Sequence, residues 1–459
     1  MSGALVTVCV PARNHARHLG AALASALTQD VDGLELLVGD DASTDATGAV
    51  VAALRDPRVR YLRHPRALGV AANRNSLLAV ARGRYVAWLD ADDELLPGAL
   101  AGRLELLEQL PEVAIAHGHF DVVDEHGAAL PAWPPPLAGD LIERSRDAFG
   151  ELICANEFTT STVIVRRSAQ LAAGGFEPRI GRSSTDWHGW LRVALRGDVA
   201  YSAAPVARYR QHAGTITRRT VPGGERLRCD VAVVGDILRA AGAPHALRAR
   251  ARAALAAKAL LHAGDAYTSG RRGAGARAIA LAARLAPGAA RGAAVALLAA
   301  TVRGDDAACH RLSRVVLARL AERLGGTRAG RKLSDRIAVD PDWSAQLETI
   351  AATVGRVVPA GAHVAAVTKW DPTLLALAGR RGRNFPDRAL LPDGYPPDGA
   401  TAVAHLEALR GDGVTHLVLP SASFWWLEHY RELDLHLAHT AGTAWRDEQV
   451  AIFDLGARP

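Results

Sequence analysis

Short apolar runs alternate with amphipathic stretches through the first half of the chain. Residues 5–10 form an apolar run ending at Pro11, which reads as a strand. Leu19, Leu23 and Leu27 recur at a spacing of four and predict a helix with one apolar stripe. A second strand is predicted over 34–39, then a helix with Val50, Val51 and Leu54 inward and Ser43 placed to cap it. Residues 58–62 read as a third strand and 69–82 as a helix stopped by Gly83. The run 84–89 predicts a buried strand, Pro97 suits the first position of the next helix, and 113–120 predicts another strand. This rhythm implies an α/β fold, a mostly parallel sheet with helices on both faces. Further on, 162–166 and 206–210 read as strands and 187–196 as an amphipathic helix, while Trp133 to Pro136 falls in an irregular loop.

After Gly223 and Gly224 the pattern changes. Residues 226–324 are rich in Ala, Leu and Arg, with Gly or Pro breaks, and predict four or five short antiparallel helices. Residues 325–332 read as a basic, Gly-rich linker. A small α/β module closes the chain, with strands predicted at 363–367, 415–419 and 450–455 and a helix at 400–409. At 459 residues, two or three domains are expected. The division these patterns suggest is an α/β domain over 1–224, an α-helical region over 225–330 and a small α/β domain over 345–459.

Composition narrows the class of protein. Charged residues at 22% and apolar residues at 49% are globular values. The net charge of +6, from 54 basic and 48 acidic residues, is mild for this length. It suits phosphate-rich or anionic-membrane partners. No basic patch with interleaved aromatics appears, so nucleic acid is not an expected partner. The cysteines at 9, 154, 229 and 309 are scattered without a CxxC pair, which argues against a zinc site or disulfide framework and fits a reducing cytoplasm. The first residues read as a strand rather than a signal peptide. The most apolar helical stretch, 292–302, is about half the length that spans a bilayer. The expectation is a cytoplasmic protein, with at most a peripheral contact between its Arg-rich helical faces and the membrane's inner surface.

Candidate chemistry concentrates at the predicted strand ends. Asp90-Ala91-Asp92-Asp93 closes the apolar run 84–89, and Asp40-Asp41 closes the second strand. Clustered carboxylates at such a place are costly unless neutralised. A hard divalent cation does this well, because it takes oxygen ligands and shares them with substrate phosphates. In parallel α/β sheets, ligands bind outside the carboxyl ends of the strands, so Pro11, Asp40-Asp41 and the 90–93 loop are expected to converge on one crevice.

Seven segments appear in order: Val10-Pro-Ala-Arg-Asn14, Val38-Gly-Asp-Asp-Ala-Ser-Thr-Asp45, Gly69-Val-Ala-Ala-Asn-Arg-Asn75, Leu89-Asp-Ala-Asp-Asp93, Gly174-Gly-Phe176, Thr185-Asp-Trp187 and Tyr209-Arg-Gln-His212. With them, residues from about 5 to 215 resemble a family 2 inverting glycosyltransferase with the GT-A fold. The resemblance implies transfer of a sugar from a nucleotide-sugar donor to an acceptor hydroxyl. It implies that Asp41, beside Asp40, reads the imide N–H of a uracil-type base, and that Pro11 and Arg13 frame that base. Arg74 is a candidate contact to the nucleotide and Asp90 to the ribose. Asp92 and Asp93 are the candidate ligands of Mg²⁺ or Mn²⁺. Arg210 and His212 are placed to reach the diphosphate. Asp186 is the candidate base that takes the acceptor's proton during direct displacement. Asn156, Thr160 and Ser161 are candidate acceptor contacts. One departure stands out: where the family often has Glu before this Asp and another acid shortly after it, this chain has Thr185 and His188.

The resemblance implies a role in bacterial polysaccharide or glycoconjugate assembly, with a glycan, a lipid-linked molecule or another hydroxyl compound as acceptor. Two other readings stay open. A sugar-1-phosphate nucleotidyltransferase could share the fold, but residues 11–15 lack the glycine-rich phosphate loop it needs. A non-catalytic nucleotide- or carbohydrate-binding scaffold could keep the fold with a degenerate site, against which the three intact acidic stations argue.

Overall fold

In a computed structural model of the protein, the described residues are 5–130, 139–181, 183–212, 214–268, 271–286, 316–317, 319–325, 327–337, 341–367, 380–386, 396 and 398–456. They divide into two compact units, Met1–Leu255 and Ala256–Pro459.

The first unit is built on ten strands: β1 (Val6–Ala12), β2 (Leu34–Asp40), β3 (Val59–Arg63), β4 (Tyr85–Trp88), β5 (Glu94–Leu95), β6 (Val113–Val123), β7 (Ala129–Leu130), β8 (Leu141–Glu143), β9 (Ile164–Arg166) and β10 (Asp198–Arg210). They form one sheet in the order β3-β2-β1-β4-β9-β6-β10-β5, with β7 on β6 and β8 on β10. The six longest strands all run one way. The four that run against them are two or three residues long. The expected mostly parallel α/β sheet is therefore present, with β9 inserted antiparallel between β4 and β6.

Among the described residues, the helices that accompany this sheet are α1 (Ala16–Leu27), α2 (Thr47–Ala53), α3 (Val70–Val80), α4 (Ala101–Gln109), α5 (Ser145–Leu152), α6 (Arg167–Ala172), α7 (Thr185–Ala194), α8 (Ile216–Thr220) and α9 (Glu225–Ala240). The predicted stripe on α1 buries Leu19 and Leu23 against Val6, Val8, Val10, Leu36 and Val38. Each such side chain contributes roughly 1.5–3 kcal/mol on burial. β2 is buried along its whole length, as a central strand with both faces covered should be. Where β4 meets β1, a Cβ at Gly83 would lie 2.4 Å from the backbone nitrogen of Thr7. Only glycine fits that approach.

Several local expectations are corrected. Ser43 caps no helix. Its N–H donates to Asp40 Oδ1 and its hydroxyl accepts from Asn14 N–H, and α2 begins four residues later, at Thr47. Pro97 lies in a turn, and α4 starts at Ala101. The last strand begins at Asp198 rather than 206, because pairing with β6 continues across register shifts. Residues 133–136 lie outside the described residues.

Beyond α9 come α10 (His245–Thr268) and α11 (Arg272–Leu285). The second unit also holds α12 (Arg328–Ile337), α13 (Pro341–Val357), α14 (Gly399–Gly411), α15 (Trp425–His429) and α16 (Arg431–Thr440). The linker expected over 325–332 is largely the start of α12. A five-stranded sheet has the order β12-β11-β13-β15-β14, from β11 (His363–Ala366), β12 (Arg381–Asn384), β13 (His416–Pro420), β14 (Gly442–Arg446) and β15 (Val450–Asp454). Here β11 runs parallel to β12 and β13, and β15 runs antiparallel to β13. Among the described residues, no helix is long and apolar enough to cross a membrane. The apolar stretch 292–302 lies outside them.

Candidate active site

Because β1, β2, β4 and β10 run in one direction, their carboxyl ends share one rim of the sheet. Pro11 and Arg13, Asp40-Asp41, Asp90–Asp93 and Arg210–His212 follow from that placement.

Asp40 is buried. Its carboxylate accepts the Ser43 N–H at 2.7 Å and the Tyr61 hydroxyl, with Arg63 Nε at 3.6 Å. Burial alone would raise this acid, but the hydrogen bonds outweigh it and hold it below its ordinary value. The same contact, with burial, pushes the Tyr61 phenol up to about 12. Asp41 points the other way along the rim. Its two oxygens accept the backbone N–H groups of Leu68 at 2.5 Å and Gly69 at 3.0 Å, which ties down the turn before α3. A carboxylate has about four lone-pair directions, so these two bonds leave acceptor capacity for a ligand. Arg13 is exposed beside Asn14, whose positive φ and side-chain bond to Thr44 N–H shape the turn after β1.

The 90–93 loop is held from three sides. Ser161 Oγ accepts Asp90 N–H at 3.1 Å and donates to Asp93 Oδ2 at 2.5 Å. Arg210 N–H donates to Asp93 Oδ1 at 2.8 Å. Asp93 is thus a buried anchor, raised well above the usual carboxylate range by burial and by its neighbours Asp92 and Asp90. Arg210 is also turned inward. Its guanidinium donates to Glu94 at 2.5 Å and to the carbonyls of Asp92 and Asp124. Asp90 and Asp92 both keep exposed surface, Asp90 the more, at 32% of its side chain. Asp92 Oδ2 meets His212 Nε2 at 2.9 Å, and these two side chains keep about one-seventh of their surface exposed, 14% each. Burial would raise Asp92, but His212 and the nearby His15 bring it below its ordinary value. The His18 ring lies 5.3 Å from that of His212.

A second network joins this loop to Asp186. Arg74 donates to Asp90 at 2.8 Å and to Thr160 Oγ1 at 3.4 Å, over the Phe176 ring. Thr160 Oγ1 in turn lies 3.4 Å from Asp186 Oδ2. Asp90 is raised by burial and by the charges of Asp92 and Asp186, against the pull of Arg74. Asp186 stands in the first turn of α7, where the helix dipole favours a carboxylate. Asn156 spends its side-chain oxygen on Phe158 N–H, as a turn former does.

The structure therefore brings Asp90, Asp92, Asp186, Arg74, Thr160 and His212 into one neighbourhood, and sets Asp93, Ser161 and Arg210 beneath it as supports. Sequence reasoning missed Glu94, Tyr61, His18 and Phe176. Only Phe176 stood in a quoted segment, and nothing in the pattern said that it underlies Arg74.

The site is thus a sheet rim carrying clustered carboxylates, joined by hydrogen bonds to a further carboxylate on α7. Residues 7–149 match Glycosyl transferase family 2, and the chain belongs to that family. It is 41% identical over 125 residues, 27% of this chain and 36% of the other, to the succinoglycan biosynthesis protein ExoO of Rhizobium meliloti (strain 1021). It is 30% identical over 239 residues, 47% of this chain and 70% of the other, to the uncharacterized protein MT1568 of Mycobacterium tuberculosis (strain CDC 1551 / Oshkosh). It is 26% identical over 214 residues, 46% of this chain and 80% of the other, to WfaP of Escherichia coli, a UDP-Glc:alpha-D-GlcNAc-diphosphoundecaprenol beta-1,3-glucosyltransferase. The chain thus spans about a third of the length of ExoO and most of the other two. Relatives of this kind place it among glycosyltransferases related to those of bacterial polysaccharide synthesis.

Proposed function

We propose that this chain is a metal-dependent inverting glycosyltransferase that moves a sugar from a UDP-sugar to an acceptor hydroxyl. The observation that supports it most is the single network Asp92–His212, Asp90–Arg74–Thr160–Asp186 at one sheet rim. The UDP preference rests on the UDP-Glc donor named for WfaP, and on Asp41 at the station where a base would be read. A glycan or lipid-linked acceptor is proposed on the same ground, at the inner face of a bacterial membrane.

In this reading Asp186 accepts the acceptor's proton as its oxygen attacks the anomeric carbon, and inversion follows from that one displacement. Thr160 orients Asp186, and Arg74 keeps Asp90 in place beside it. Asp41 and Pro11 frame the base, with Arg13 at the pocket's edge. Among the described residues, no three His, Cys, Asp or Glu side chains form a metal site of their own. Asp92 offers a carboxylate, which suits Mg²⁺ or Mn²⁺ completed by diphosphate and water oxygens, while His212 accepts Gly214 N–H at Nδ1 and so presents its Nε2–H to Asp92. Such a cation would supply Lewis-acid stabilisation of the departing nucleotide diphosphate. Asp93 would support Asp92 from below rather than share the cation, since it is buried and turned toward Ser161 and Arg210 N–H. The sequence pattern puts the transferase domain at 1–224, and the proposed chemistry lies within it.

The test is a donor screen that follows nucleotide diphosphate release with Mg²⁺ or Mn²⁺. Release from a UDP-sugar that disappears in Asp92→Asn supports the proposal. Tight UDP binding with no release from any donor would favour the scaffold instead.

A further inference from the structure

α9 follows the Gly223-Gly224 break, and sequence pattern assigns it to the helical region. Three of its residues nevertheless face the segment that carries Asp186. Ser184, the N-cap of α7, donates its hydroxyl to Asp230 Oδ1 at 2.7 Å. His188, one turn further along α7, places Nε2 at 2.9 Å from Asp236 Oδ2. A carboxylate facing it accepts, so Nε2 carries the proton. Cys229 Sγ fills the space beside Gly181, where a Cβ would come within 2.8 Å of it.

Asp236 keeps 43% of its side chain exposed, but the groups around it are covered. Ser184, His188, Cys229 and Asp230 are all buried, at 4, 1, 6 and 1% exposure. An N-cap serine ordinarily accepts an N–H from the first turn of its own helix. Ser184 makes no such bond and gives its hydroxyl to α9 instead. The two tethered residues, 184 and 188, bracket Asp186. On its other side, among the described residues, Asp186 meets Thr160 Oγ1 at 3.4 Å. α9 thus ties the first turn of α7 before and after Asp186, alongside the bond that Trp187 Nε1 donates to the Leu152 carbonyl at 2.9 Å.

We infer that α9 belongs to the catalytic unit, and that Asp230 and Asp236 are positioning residues that aim Asp186 at the acceptor. The inference rests on Asp186 being the base, as proposed above. It moves the functional end of the transferase domain beyond residue 224, to at least residue 236. A misplacement of about 1 Å in a reacting group can cost roughly a hundredfold in rate, so a tether of this kind acts on turnover without touching the donor.

The experiment uses the full chain, with Asp230→Ala and Asp236→Ala singly and together. Hydrogen exchange is read in peptides covering 181–190 and, as an internal reference, 34–40. Losing a buried bond to a carboxylate should speed exchange in 181–190 by at least about tenfold, with 34–40 unchanged. Calorimetry with UDP and Mn²⁺ should give an unchanged affinity. UDP release from UDP-glucose should fall roughly ten- to a hundredfold in kcat at constant donor KM, and Asp236→Glu should recover part of it. Unchanged exchange in 181–190 overturns the inference, as does an equal rise in 34–40, which would mean general loosening. If exchange responds as expected while Asp186→Asn turns over normally, the tether stands and the assignment of the base falls.

Discussion

The molecule contains two sheets with parallel strands, and their carboxyl rims differ in kind. In the first unit, β1, β2 and β4 run out into Arg13, Asp41 and the acidic loop 90–93. In the second, β11, β12 and β13 run out into Val367, Phe385 and Ser421–Ser423, none of which is acidic. Phe385 and Val367 are buried there against Trp426 and Tyr430, in an apolar core. Among the described residues, parallel strand ends thus gather carboxylates in one sheet and apolar side chains in the other. What separates them is whether buried partners hold carboxylates at the rim, as Ser161, Arg74 and Arg210 do in the first unit.

That contrast can be broken by experiment. Asp186→Asn is expected to lower sugar transfer by roughly 10²–10⁴-fold with UDP affinity intact, as loss of a general base does. Asp92→Asn is expected to lower metal-stimulated UDP release by roughly 10²–10³-fold, the scale of one electrostatic contact to a charged transition state. Ser423→Ala, at the other rim, should leave release unchanged; a comparable loss there would erase the distinction between the sheets. Arg210→Ala should destabilise the first unit by about 3 kcal/mol, because it strips Glu94 and two carbonyls of a buried partner. Native-state hydrogen exchange in β4 and β10 would register it. Ser161→Ala should cost less, about 1–2 kcal/mol, by the same measurement. The smallest effect concerns acid. Burial pushes Glu35 up, but bonds from Thr7, Arg82 N–H and Arg60 hold it below its ordinary 4.5. Its stabilising contribution is full above that value and is lost as pH falls through the lower folded-state value. Glu35→Gln should therefore flatten the decline of exchange protection in β1 and β2 as pH drops below 4.5.

The parallel framework was legible because β1, β2 and β4 are nearly unbroken apolar runs bounded by Pro, Gly or Asp. β5, two residues long, carries too little periodicity to be read as a strand, and tertiary pairing alone defines it, whereas β9 falls within the strand expected over 162–166 and only its antiparallel direction came from the pairing. At the site, the acidic stations were legible because burying carboxylates at strand ends is so unfavourable without a purpose. The division of labour among them was not. Asp92 and Asp93 are identical in type and adjacent, and the positions of Ser161 and Arg210 N–H, both distant in sequence, decide which one is locked inward. Arg210 looked like a phosphate contact because it follows a strand, but Glu94 claims it. Asp230 and Asp236 lie beyond a Gly-Gly break, and no local pattern links them to α7.

The crowding at Gly83 has a consequence for anyone who would evolve this protein. A mutagenesis library spanning the turn between α3 and β4 should return glycine at that codon in every clone that keeps β1 and β4 zipped together. The Asp-rich loop hangs from the far end of the same strand. A change some six residues upstream, chemically silent in itself, would then surface as a lost activity rather than as an obvious folding defect.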